Sequence, residues 1–99
     1  MGTGLQRRRL RDLQRRLAHA RESLQVLQEQ VLVWNDALDD ARIRSLVSET
    51  PLQAQEYDEL SRHVAAANAE LQRRSLEVRS LTIERDAVLR DWTPKDEHG

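Results

Sequence analysis

The fold is decided by the stretch LRDLQRRLAHARESLQVLQEQVLVWNDALDDA, residues 10–41. Its apolar residues recur in alternating steps of three and four without a break. This spacing is typical of a helix that turns one apolar seam toward a partner helix, so we predict a long, partnered helix here. The seam consists of Leu10, Leu13, Leu17, Ala20, Leu24, Leu27, Val31, Trp34, Leu38 and Ala41.

A second seam with the same spacing occupies residues 57–92. The segment TPLQ at residues 50–53 predicts the start of its helix, because threonine is a good cap and Pro51 stands where a missing N–H costs little. A Thr-Pro pair at 93–94 predicts its end, since proline disfavours the helical conformation in the residue before it. The second seam consists of Tyr57, Leu60, Val64, Ala67, Leu71, Arg74, Val78, Leu81, Arg85, Val88 and Trp92.

Two such helices predict an all-α antiparallel coiled-coil hairpin, which can pair further into a four-helix bundle. When the chain folds so that facing residue numbers sum to 98, Leu17 faces Leu81 in the seam. On one flank of the seam opposite charges face each other, for example Arg16 and Glu84. Such exposed pairs contribute little stability but favour one register.

The 99 residues are expected to form a single domain. Between residues 42 and 47 the first seam loses phase, because Ile43, Leu46 and Val47 lie off its line. Either the first helix bends or ends there, or the tip forms a small cluster of its own with Leu52. We predict an N-terminal tail over 1–3, one hairpin over 4–92 and a flexible tail over 93–99, with helix one at about 4–47, a turn at about 48–50 and helix two at about 51–92.

The composition argues against catalysis. The chain has no cysteine, no glycine between residues 5 and 98, and three dispersed histidines. It therefore offers no thiolate chemistry, no phosphate-cradling loop and no convergent metal ligands. No apolar run is long enough to be a signal peptide or to span a membrane, and the net charge is only −1. We expect no enzyme activity, cofactor, metal or membrane partner, and a cytoplasmic location.

Apolar residues outside the seams predict a protein-binding surface. Ala69, Leu76 and Ile83 repeat every seven residues on the side of helix two that faces away from helix one, and Val26 and Val33 form a lesser row on helix one. A lone hairpin leaves both rows in water. Scattered exposed apolar residues are common, but a contiguous row usually marks an interface. We therefore expect these five residues to bind a protein partner, either in a homodimeric four-helix bundle or at a docking face.

The first arm is basic. Arg7, Arg8, Arg11 and Arg15 are candidate contacts to the phosphates of a nucleic acid. The alternative is a solvated face neutralised by the acidic residues of helix two between 77 and 91. No aromatic residue lies among the arginines for base stacking, and the register supports neutralisation, so we favour the solvated face.

Two arginines interrupt the second seam. Arg74 has Glu70 and Glu77 at helical spacing, whereas Arg85 has no acid three or four residues away. A single polar residue in a seam often controls register, which is the interpretation we favour. Alternatively, Arg74 and Arg85 contact a small anionic ligand, and the protein is a sensor.

The segment DALDDA at residues 36–41 resembles the D-x-x-D-x-A tip motif of the DksA transcription factors, which are similar to the Gre transcript-cleavage factors in reaching RNA polymerase with a coiled-coil hairpin. The resemblance implies a small transcription regulator that contacts RNA polymerase or a sigma factor through Asp36, Asp39 and Asp40 or through the basic arm. It covers six residues, which precede the predicted turn, and the zinc finger and globular domain of those factors have no counterpart here. We assign the chain to no family.

The function favoured by these patterns is a non-catalytic coiled-coil module for protein–protein interaction, an adaptor that self-associates. The transcription regulator is the main alternative, and the anion sensor is the weaker one.

Overall fold

The structure, a computed structural model, describes residues 2–92, and their side chains from residue 4 onward. Two α-helices, α1 (Gly2–Ser48) and α2 (Pro51–Trp92), are joined by the two-residue turn Glu49–Thr50. Helix α1 begins two residues before the predicted position and ends one residue after it. The flexible tail predicted for 93–99 lies outside the described residues.

The prediction of an all-α antiparallel hairpin is confirmed. The two helices pack against each other to form an elongated body of 76 × 21 × 15 Å. A hairpin of this shape has a core one side chain thick, so the seam is the only place where its helices exclude water.

Most buried residues of the core form two clusters along the seam. The first lies toward the open end of the hairpin and packs Leu13 and Leu17 of α1, each 2% exposed, against Leu81 of α2. The second lies nearer the turn and packs Val31 against Ala67. These contacts unite residues whose numbers sum to about 98, as the spacing of the two seams predicts.

The turn is built by local backbone chemistry. Glu49 adopts a left-handed conformation with φ of 55°, and its N–H donates to the carbonyl of Ser45 at 3.2 Å, which ends α1. The hydroxyl of Thr50 then accepts the N–H of Gln53 at 3.2 Å and so caps the first turn of α2. Pro51 occupies the first helical position.

The loss of seam phase near the tip does not end the helix. Helix α1 continues through residues 42–47 and ends at Ser48. Ile43, Leu46, Val47 and Leu52 are each more than half exposed, so they form no buried cluster at the tip. At the phase break the apolar residues of α1 therefore lie on its solvent-exposed surface and not in the seam.

Candidate interaction surfaces

Arg74 joins the two helices at a seam position. Its Nε donates to Oε2 of Glu70 at 3.0 Å, and its Nη1 donates across the hairpin to the backbone carbonyl of Ser23 at 3.1 Å. The side chain is one-third exposed. Of the two acids at helical spacing from Arg74, Glu70 forms an ion pair, whereas Glu77 forms none within the described part of the chain.

Glu70 accepts hydrogen bonds from two arginines of its own helix. It accepts the Nε of Arg73 at 2.8 Å in addition to Arg74. The hydrogen bond from Arg73, followed by that from Arg74, lowers the pKa of Glu70 below its ordinary value. The carboxylate is thus held charged by neighbours on its own helix.

The guanidinium group of Arg85 donates hydrogen bonds to the adjacent residue. Its Nε and Nη2 both donate to Oδ1 of Asp86, at 3.2 and 3.0 Å. The guanidinium groups of Arg74 and Arg85 therefore already have acceptors within the chain. An anionic ligand has to compete with these acceptors, and the anion sensor stays a prediction.

The ion pairs expected across the hairpin do not form. Arg16 pairs with Asp12 of its own helix, at 3.8 Å, and not with Glu84. Every ion pair among residues 2–92 joins residues of one helix. Side chains three or four positions apart on a helix already lie close together, so local partners are available without reaching across.

The basic arm is a solvated face, as favoured from the sequence, but the expected ion pairs with α2 do not form. Arg7, Arg8, Arg11 and Arg15 are exposed, and they take part in no ion pair in the region that the structure describes. These arginines are consequently free to meet an external partner. Contact with nucleic acid stays a prediction.

The acidic segment lies on the side of α1 and not at the tip. Asp36, Asp39 and Asp40 are exposed, and α1 continues to Ser48. At 1.5 Å per residue the last of these acids lies about 12 Å before the end of the helix. The geometry of the D-x-x-D-x-A tip motif is therefore not reproduced, and a role as a transcription regulator stays a prediction.

The outer row of α2, which is Ala69, Leu76 and Ile83, is exposed along its length. Leu76 and Ile83 are each 60% exposed. Leu76 lies midway between the seam residues Arg74 and Val78, so the row faces away from α1. It borders a shallow groove that is lined by Leu71, Gln72, Ser75, Leu76 and Arg79.

The valine row of α1 lies on a different surface. Val26 and Val33 are exposed and border a groove that also contains Trp34, and Val26 shares another groove with Arg74. Val26 directly precedes the seam residue Leu27, which places it on the outer side of α1, away from α2. One flat partner cannot cover both predicted rows.

No binding role was predicted from the sequence for the exposed apolar residues of the distal half of α1. Ile43, Leu46 and Val47 are spaced as one helical face. They follow Asp36, Asp39 and Asp40 by one heptad each. An acidic patch on this face of α1 is therefore followed directly by an apolar patch. The loss of seam phase at residues 42–47 was the feature of the sequence that could have indicated this exposed apolar face. Leu32, one heptad before Asp39, is also exposed.

The described residues show no arrangement suited to metal chemistry. His63 packs edge-on against Trp34 across the hairpin, with ring centroids 4.5 Å apart and an interplanar angle of 76°. No group of three or more His, Cys, Asp or Glu side chains within residues 2–92 could hold a metal ion. Neither helix of this part of the chain is long and apolar enough to cross a membrane.

These features define the class of the protein as an antiparallel two-helix hairpin with exposed apolar and charged outer faces. No protein-family model, no curated protein and no solved structure matches the chain.

Proposed function

We propose that this hairpin is a non-catalytic protein-interaction module that self-associates through the outer row of α2. The observation that carries the proposal is the exposure of Leu76 and Ile83, in line with Ala69, on the face opposite the seam. A helix that is apolar on two sides is usually packed on two sides, and the hairpin covers only one of them.

The apolar residues of the outer row are complementary to themselves in an antiparallel arrangement, which also opposes Arg62 to Arg90 at the ends of the contact. When residue numbers from two copies sum to 152, Leu76 meets Leu76 on a two-fold axis and Ala69 meets Ile83 of the second copy. Ala65 then meets Ala87. Small side chains oppose large ones, which allows two helices to approach closely, and the same patch serves both copies, as in most homodimers.

A contact with a second copy would also add to the small core of the fold. The seam contains few large side chains, and a single layer of them is a small core for a domain of this length. Burying the exposed part of a leucine or isoleucine contributes about 1–2 kcal/mol. The two copies bring four such side chains to the contact, which favours a dimer of four helices in a row with the two α2 helices in the middle. Its affinity is expected to be weak, because association itself costs about 4 kcal/mol or more.

Sedimentation of the purified protein tests this proposal. In about 0.5 M salt, which screens exposed charges beyond about 4 Å, the wild type is expected to associate and the L76E/I83E variant to sediment as a monomer. Both replaced side chains are mostly exposed, so the monomer should keep its helical circular dichroism.

The matched control is V26E/V33E, which introduces the same charges on the other apolar row. This variant is expected to associate like the wild type. A wild type that stays monomeric at high concentration, or an L76E/I83E variant of unchanged mass, would contradict the proposal.

A further inference from the structure

We infer that the outer face of α1, the face that points away from α2, is a second self-association surface, and that it pairs antiparallel with the same face of another copy. This inference does not depend on the outer row of α2. It rests on the distribution of charge along α1 and on where the exposed apolar residues lie within it.

Charge is segregated along α1. Residues 2–21 contain seven arginines and one aspartate, whereas residues 22–41 contain five acidic residues and no basic residue. The net charge of −1 conceals this polarity. Helix α1 therefore has a strongly basic half followed by a strongly acidic stretch, each about 30 Å long at 1.5 Å per residue.

Four charges of the outer face have no ion-pair partner of their own. Arg11 and Arg15 in the basic half, and Asp36 and Asp40 in the acidic stretch, are exposed and form no ion pair among the described residues. Charges that the fold leaves unpaired are available to a partner of opposite sign, and this chain carries both signs on one face.

One antiparallel register satisfies these charges. When residue numbers from two copies sum to 51, Arg11 faces Asp40 and Arg15 faces Asp36 of the second copy. The two-fold symmetry repeats both pairs at the other end of the contact. The complementary charges thus occur four times in one dimer.

The same register also matches the apolar residues. Leu5, which is 68% exposed, faces the exposed Leu46 of the second copy, and Ala18 faces Val33. Shifting the pairing by one heptad weakens the apolar match. A sum of 58 opposes Asp12 to Leu46. A sum of 44 keeps Arg15 opposite an acid, Glu29, but opposes Leu5 to Asp39.

The contact also contains unfavourable pairs, which lower its affinity. In the same register Asp12 faces Asp39 and Glu22 faces Glu29, and the two-fold symmetry repeats both pairs, so that like charges also meet four times. Arg8 faces the apolar Ile43. Asp12 already pairs with Arg16 at 3.8 Å, which moderates the first repulsion. The contact should accordingly be weak and sensitive to ionic strength, because exposed charges are screened by salt.

The two proposed contacts lie on opposite edges of the hairpin. The outer row of α2 faces away from α1, and the outer face of α1 points away from α2. Two different self-pairing surfaces on opposite edges link molecules into a side-by-side row. The wild type is therefore expected to exceed the mass of a dimer at low salt and to return to dimers at high salt.

Charge reversal tests the inference separately from the proposed function. All variants are made in the L76E/I83E background, so that the α2 contact is absent. At about 0.05 M salt this parent is expected to associate, with a Kd that rises at least about tenfold at about 0.5 M. The variants R11D/R15D and D36R/D40R are each expected to be monomeric.

Mixing these two variants gives the decisive measurement. Each chain then meets opposite charge at both ends of the contact, so the mixture is expected to form a heterodimer. The single chain that carries all four reversals is expected to associate with itself again. The control R9D/R21D changes the net charge as much as R11D/R15D does, but at flank positions, and should associate like the parent.

Three outcomes would overturn the inference. These are a parent that is monomeric at low salt, a mixture that stays monomeric, and a control that is disrupted as strongly as R11D/R15D. Capture of a different, basic protein through the acidic stretch, without association of the mixture, would likewise assign this surface to another partner. Circular dichroism of each variant verifies the fold.

Discussion

Arg74 reaches from α2 across the hairpin and donates a hydrogen bond from Nη1 to the backbone carbonyl of Ser23, at 3.1 Å. That carbonyl lies inside α1, where the helix already supplies one N–H donor, so Arg74 fills its second acceptor position. Arg74 is thus a polar seam residue whose head group has acceptors on both helices. No buried side-chain nitrogen or oxygen of residues 4–92 lacks a partner.

Replacing Arg74 by leucine is expected to stabilise the hairpin by about 1–2 kcal/mol, because an apolar side chain opposite Leu24 continues the seam and leaves no backbone group unpaired. Arg74→Ala removes the same hydrogen bond without filling the space and is expected to lose about 1 kcal/mol. Urea unfolding of the two variants beside the wild type measures both effects. An Arg74→Leu variant less stable than the wild type would show that the cross-hairpin hydrogen bond outweighs seam packing.

The pKa of Glu70 makes its contribution to stability dependent on pH. Its pKa is lowered in the folded chain by Arg73 first and by Arg74 second, so the stabilisation is complete above the unfolded value of about 4.3. It is lost as the pH falls through the folded pKa, because the unfolded chain then binds the proton more readily than the folded one. Glu70→Gln is therefore expected to destabilise the hairpin near neutral pH and to have little effect in strong acid.

Urea unfolding at about pH 7 and in strong acid checks this expectation. Glu77→Gln is the matched control, since Glu77 occupies the same heptad position one repeat later and forms no ion pair within residues 2–92. Equal pH dependence of the two variants would mean that the hydrogen bonds to Glu70 contribute nothing specific.

The core was predictable from the sequence because it depends on periodicity alone. Spacing of three and four residues identified Leu17, Leu81, Val31 and Ala67 as facing seam residues, and the structure packs them together. A two-helix fold has few alternatives once both seams are recognised. The two-residue turn then limits how far the register can slip.

The ion pairs on the flanks of the seam were harder to predict, because a charged side chain there has several possible partners. Arg16 has Asp12 within one turn and Glu84 across the hairpin, and it takes the nearer one. Pair energies at the surface are too small and too similar for the sequence to rank them. The position of Asp36 on the side of α1 depended on where the helix ends, which the phase break at residues 42–47 left open.

Truncating a leucine of the seam is expected to cost much more stability than truncating a leucine of an outer row. Leu17→Ala is expected to cost about 2–5 kcal/mol, because Leu17 is 2% exposed and packed against Leu81. For a chain of this length that lowers the Tm by about 10 °C or more. Leu76→Ala, at a position 60% exposed, should change the Tm of dilute protein by only a few degrees. Similar losses in both variants would mean that Leu76 is already buried in a stable oligomer.

The turn offers a position where stability should rise. Glu49 has a φ of 55°, a conformation that is costly for residues with a Cβ atom and easily adopted by glycine. Glu49→Gly is therefore expected to stabilise the hairpin by about 0.5–1 kcal/mol, since the gain at the turn exceeds the added freedom of the unfolded chain. Glu49→Ala removes the same exposed carboxylate but keeps the Cβ atom, and should bring no gain. Thermal unfolding of the two variants side by side decides the matter, because an equal gain in both would trace the effect to the lost charge and not to the backbone.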